Sequence, residues 1–191
     1  MNIWNQSYPK NIDELIEQCN QFKDTLLEKL NNPSCKTLSQ LYGQNEQGTL
    51  KRKLAFFGSL GDTPNAFFNS KSKIEDEIRG IYVFGAFDID SDRVIPKYVG
   101  ISRTIFRRLK QHGWSVTHNQ ATLAALKAIH KKTHTEKLRS EMKVDVIQEQ
   151  QEIIRNYKVA ILPIENDYEM YFIEVYLAGV WKTEWNSFKT H

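Results

Sequence analysis

From Asn11 onward the apolar residues Ile12, Leu15, Ile16, Cys19, Phe22, Leu26 and Leu30 recur at intervals of three and four. That spacing matches the turn of an α-helix and predicts a long amphipathic helix, opened by Asn11 and Glu14 as a cap pair and closed by the polar stretch Asn31 to Ser34. Thr37 to Arg79 is mixed, with a short helix predicted near Leu50 to Phe57 and a Gly/Asp/Pro/Asn loop near Gly61 to Asn65. The texture changes at Gly80. Ile81 to Phe87 and Val94 to Ile101 are rich in β-branched and aromatic residues around the turn cluster Asp88 to Arg93, which predicts a β-hairpin. Pro96 marks an irregular or edge position in its second strand. Ser102 is placed to cap a helix running to His112, and helices follow at about Gln120 to Lys131 and Glu136 to Asn156. Tyr157 to Ile164 reads as a third strand, and Asn166 or Asp167 caps a last helix to Lys182. This order predicts an α+β fold, a small three-stranded mixed or antiparallel sheet flanked by helices. Residues 1–78 read as an N-terminal helical extension and residues 79–191 as the main domain.

Composition narrows the class. A chain of 191 residues with 40% hydrophobic and 26% charged residues can build one real core and excludes disorder as the main state. No run of eighteen apolar residues and no basic, then apolar, N-terminal segment occurs, so neither membrane insertion nor export is expected. Cys19 and Cys35 lack the spacing of a structural zinc site, and Cys19 falls on the apolar stripe of the first helix. A reduced, cytoplasmic protein is the expectation.

The net charge of +3 conceals an asymmetry. Between Arg93 and Lys137 ten Lys/Arg stand against one acid, Glu136, a net +9 that leaves −6 for the rest. One segment is therefore basic enough to neutralise several phosphates. Within it, Arg108 and His112 lie four apart, on or beside the face defined by Ile105, Phe106 and Leu109. An arginine beside a core needs an anion, either a phosphate or a core carboxylate. The last helix has the reverse feature: from Met170 to Trp181, Glu174 is the only charged residue. A lone carboxylate there must be paired, protonated or bound to a cation. Either a buried Glu174–Arg108 pair or a magnesium held by one carboxylate, waters and a phosphate would satisfy it. Neither GxGxxG nor GxxxxGK[ST] appears, which sets aside dinucleotide and P-loop enzymes.

Gly80-Ile81-Tyr82 and Tyr98-Val99-Gly100, followed in order by Arg108, His112, Glu174 and Asn186, resemble the GIY-YIG nuclease superfamily. The resemblance covers about Arg79 to His191. Its ending, Glu174 followed twelve residues later by Asn186 with Trp185 before it, is most similar to the restriction-endonuclease branch. The resemblance implies a divalent-metal-dependent endonuclease that hydrolyses DNA phosphodiesters with one Mg2+ or Mn2+ held by Glu174. It implies that Tyr82 is the general base or positions the water, with Tyr98 beside it. Arg108 would stabilise charge on the phosphate, His112 would assist proton transfer, and Asn186 would orient the site. A tyrosine near its ordinary pKa of about 10 is a poor base at neutral pH, so Lys97 or Arg108 is expected to lower it. Lys97, Arg103, Arg107 and Lys110 are the expected nucleic-acid contacts, with double-stranded DNA as partner. Cutting both strands at one-metal sites calls for a homodimer or for sequential nicks. About forty residues, Thr117 to Asn156, exceed what the family core needs and read as a helical insertion. The alternative is a catalytically inactive nucleic-acid-binding module that keeps the same fold.

Overall fold

The first helix forms as its pattern predicts. In α1 (Ile12–Asn31) the Asn11 side-chain oxygen accepts the Asp13 N–H at 2.9 Å, and Leu15, Cys19, Leu26 and Leu30 bury one stripe. A single turn, α2 (Leu38–Leu41), leads into an antiparallel pair, β1 (Tyr42–Gln44) and β2 (Leu50–Arg52). Here the helix predicted near Leu50 is corrected to a strand. The Asn45 side chain accepts the Thr49 N–H at 2.7 Å and Gly48 adopts φ 72°, so a tight turn reverses the chain before Leu50. The computed structural model describes residues 7–8, 11–53, 60, 65–68, 74–131 and 138–186, so residues 54–57 of that predicted helix and the predicted loop at 61–64 lie outside it. A second hairpin pairs β3 (Asn65–Phe68) with β4 (Ile74–Glu77). The expected helical extension is thus helix plus two short hairpins.

The central sheet consists of β5 (Gly80–Asp88), β6 (Arg93–Ser102) and β7 (Lys158–Pro163), in the order β6-β5-β7 and antiparallel throughout. Four further helices follow the expected order: α3 (Ile105–Trp114), α4 (Thr122–Lys131), α5 (Val144–Arg155) and α6 (Asp167–Trp181). The single helix expected from Glu136 to Asn156 is broken. After a 3-10 turn at Arg139–Glu141, Met142 and Lys143 are extended (ψ 127° and 152°), which lets Met142 turn into the core before α5 begins. Residues 136–137 lie outside the described residues.

Strand periodicity divides the core into two layers. Ile81 and Val83 point to one side of the sheet, where Cys19, Leu26 and Leu30 of α1 meet Ile173 and Leu177 of α6. Tyr82 and Phe84 point to the other, against Ile105 and Leu109 of α3, Ala124 and Ala128 of α4, and Ile147 and Ile154 of α5. The α1 segment therefore shares a core with the sheet. Both sheet edges are covered. Lys36 and Leu38 exchange backbone hydrogen bonds with Val159 and Tyr157 beside β7, and the chain after α6 returns to β6 through Trp185 N–H to the Lys97 carbonyl at 3.2 Å. Asp167, at the start of α6, ties Arg79 and Arg103 together in one ionic cluster. No helix of the described residues is long and apolar enough to cross a membrane.

Gly80 has φ 149°, and a Cβ there would lie 2.1 Å from the Leu162 carbonyl oxygen on β7. Gly80→Ala is expected to cost about 3 kcal/mol, read in thermal unfolding as a fall of roughly 6–12 °C in Tm. An unchanged Tm would mean that β7 moves aside without loss.

Candidate active site

The hairpin register creates the centre of the site. Tyr82 on β5 pairs with Gly100 on β6, and Phe84 pairs with Tyr98. A Cβ at residue 100 would sit 2.4 Å from the Tyr82 ring carbon Cζ and 2.8 Å from the Tyr98 ring, so only glycine lets the Tyr82 ring lie across β6. In that position the Tyr82 hydroxyl stands 2.8 Å from Nε2 of His112 on α3. The His112 imidazole is enclosed by Tyr82, Phe84 and Tyr98, each with its ring centroid at 5.6 Å. Tyr82 is 1% exposed and His112 fully buried. Whichever of Oη and Nε2 donates, Nδ1 of His112 has no hydrogen-bond partner among the described residues.

These environments set the protonation states. Burial, then the neighbouring Tyr98, pushes the Tyr82 hydroxyl well above its ordinary value of 10, and the Arg108 guanidinium only partly opposes this. Burial and the charge of Arg108 hold His112 well below 6.5. At neutral pH the pair is a phenol and a neutral imidazole. The expected lowering of the Tyr82 pKa by Lys97 does not occur. Lys97 lies in the bulge of β6 and pairs with Glu184 at 3.2 Å instead.

Arg108 comes from the border of the α3 surface next to His112. Its guanidinium donates to the Gln120 carbonyl at 2.9 Å, to Gln111 Oε1 at 3.2 Å and to the Thr122 hydroxyl. All three acceptors are neutral, so the fork is fixed in place with no counter-charge among the described residues. The alternative of a Glu174–Arg108 pair is not what forms. Glu174, on α6, has neither an ion pair nor a hydrogen bond among the described residues. Desolvation by burial raises its pKa from 4.5 to about 7. Its charge reaches Tyr98, where burial raises the hydroxyl's pKa, Arg108 and Arg139 lower it, and Glu174 raises it. No group of three or more His, Cys, Asp or Glu residues suited to a metal occurs among the described residues. A half-buried carboxylate without a partner nonetheless fits a cation whose remaining ligands are water and phosphate.

The other expected site residues divide. Asn186 spends its amide on the backbone of Val99, accepting its N–H and donating to its carbonyl, both at 2.8 Å, and thereby extends the edge of β6 next to Tyr98. It positions the strand. Arg103 is joined to Asp167 at 2.6 Å, while Arg107 and Lys110 lie on the solvent side of α3. Several contributors escaped sequence reasoning. Gln120 and Thr122, which hold Arg108, belong to the insertion and carry no charge to mark them. Arg139 lies just beyond the basic segment. Lys127, 4% exposed and 4.8 Å from the Trp185 ring, is a lone cation in an apolar stretch, the signal that singled out Glu174.

Comparison with protein families, with curated proteins and with solved structures gives no match to this chain.

The half-buried Glu174 carboxylate makes stability depend on pH. Its folded pKa, about 7, lies above the unfolded 4.5, so its contribution to stability is full below pH 4.5 and is lost as pH rises through 7. Without divalent metal, Glu174→Gln is expected to raise Tm by at least about 2 °C at pH 8 and by nothing at pH 4.5. A difference independent of pH would show that the carboxylate is not held in a desolvated state.

Proposed function

We propose that this chain is a divalent-metal-dependent endonuclease of the GIY-YIG type that hydrolyses phosphodiester bonds in DNA. The observation that carries the reading is one neighbourhood around Tyr98. There the charges of Arg108 and Glu174, neither ion-paired among the described residues, both act on the Tyr98 hydroxyl, beside the Tyr82–His112 hydrogen bond. A phosphodiester with a bound cation supplies both missing charges at once. Glu174 would hold the cation, which would supply Lewis-acid stabilisation of the departing oxygen.

The chain's own residues account for the rest. Arg108, already oriented, donates to a non-bridging phosphate oxygen and gains strength as negative charge builds there. Tyr82 donates its proton to Nε2 of His112 and accepts one from the attacking water. The water's proton is thus delivered to His112, and Tyr82 never exists as a free phenolate. The base is then the neutral imidazole, which burial and the charge of Arg108 weaken until a phosphate bound at Arg108 offsets that charge. Asn186 and Trp185 hold the strand that carries Tyr98, and the basic border of α3 faces the nucleic acid.

A second reading, a nucleic-acid-binding module without turnover, is favoured by one fact: Tyr82 and His112 are closed off from solvent. Incubation with supercoiled plasmid and Mg2+ separates the two. Nicks or breaks are expected, reduced at least about 100-fold by Glu174→Ala, Arg108→Ala, Tyr82→Phe and His112→Ala. Intact plasmid with the wild-type protein, across DNA and RNA substrates, would reject the hydrolase. Because Glu174 keeps its proton up to about pH 7, the metal concentration for half-maximal cleavage should rise about tenfold per pH unit below 7. A requirement independent of pH between 5 and 7 would remove Glu174 as the ligand.

A further inference from the structure

On the far flank of α3 from Arg108 lies a cleft of about 290 Å3. Successive helical residues step by about 100°, which puts Arg108 at one border of the exposed arc of α3, beside His112. Lys110 sits at the other border, beside Phe106, with Arg107 between them. Opposite Arg107 and Lys110 stand Lys51 and Arg52 of β2, so the N-terminal third supplies half of the cleft's cations.

The acidic and hydroxyl groups of the floor are already committed. Glu77, 5% exposed, accepts the Phe106 and Arg107 N–H groups at 2.9 and 3.0 Å and caps α3. The Tyr42 hydroxyl donates to the Phe106 carbonyl at 2.6 Å. Arg52 donates to the Asp76 carbonyl at 2.6 Å, whereas Lys51, Arg107 and Lys110 form no ion pair with a described residue, leaving these three cations beside one capping carboxylate. The aromatic faces are occupied too: Arg52 stacks over Phe106 at 5.0 Å, and Tyr42 packs on Trp114 at 5.1 Å. The cleft therefore offers charge and no ring on which a base could stack.

The geometry points to this cleft as a second phosphate-binding site, which takes a backbone phosphodiester of duplex nucleic acid away from the bond at Arg108. It contributes affinity without reading sequence. This inference rests on the nucleic-acid part of the proposed function, not on catalysis. It gives the β1–β2 hairpin a role: holding the duplex so that α3 lies between two phosphate contacts.

The test measures binding of a fluorescent 30-base-pair duplex to the full chain by anisotropy, in chelator, across a salt series. Lys51→Ala/Lys110→Ala is expected to flatten the slope of log K against log salt by about 2, equally for unrelated duplex sequences. Lys51→Arg/Lys110→Arg should keep the wild-type slope. An unchanged slope, a loss confined to one sequence, or no duplex binding by the wild type would each overturn the inference. Plasmid cleavage with Mg2+ by the same preparations keeps the two readings apart. A flattened slope without any wild-type cleavage leaves the cleft and rejects the hydrolase. Cleavage with an unchanged slope does the reverse.

Discussion

The Tyr82 hydroxyl reaches Nε2 of His112 only because residue 100 has no side chain. That contact crosses the sheet layer to α3, and most of the site depends on it. With the Tyr82 ring laid over Gly100, Phe84 and Tyr98 close around the imidazole, and the side chains of Tyr82 and His112 are buried. Burial sets the protonation states: the phenol keeps its proton and the imidazole remains neutral. It also leaves His112 Nδ1 without a partner among the described residues, which costs stability rather than adding to it.

The treatment of charge follows the same logic. At the start of α6, Asp167 is ion-paired with both Arg79 and Arg103. Around Tyr98 no such pair forms among the described residues: Arg108 is held by a carbonyl, an amide and a hydroxyl, and Glu174 has no ion pair. The described residues thus pair ions at the start of α6 and leave Arg108 and Glu174 unpaired near Tyr98 on the edge strand β6. The basic cleft beyond α3 repeats the pattern on the outside, with its one carboxylate used as a helix cap. In the proposed function α3 is the common support, with Arg108 on one border and Lys110 on the other.

The amphipathic stripe of α1, the alternation in β5 and β6, and the apolar runs of β7 and α6 were all legible in the amino-acid order. Each is driven by burial of its own side chains, a local pattern with a fixed period. The site was legible as a set of residues out of place: an arginine beside a core, a carboxylate alone in an apolar helix, a glycine opposite a tyrosine. Less visible were the elements fixed by partners distant in the chain. Glu77 caps α3 from 29 residues upstream of Phe106, and Thr104, not the expected Ser102, stands at the N-cap, with the Ser102 hydroxyl accepting its N–H. Met142 breaks the charged helix because the core takes its side chain, and the Asn45–Gly48 turn makes a strand of Leu50–Arg52.

The sequence by itself determined the α+β class, the order of elements around the sheet and the identities of the groups with unsatisfied charge, because these follow from periodicity and from residue type. Tertiary structure alone decided that Arg108 and Glu174 do not pair, that His112 rather than Lys97 meets Tyr82, and that Asn186 binds backbone. Those outcomes depend on distance and desolvation between residues far apart in the chain, and neither quantity is written in the order of the residues.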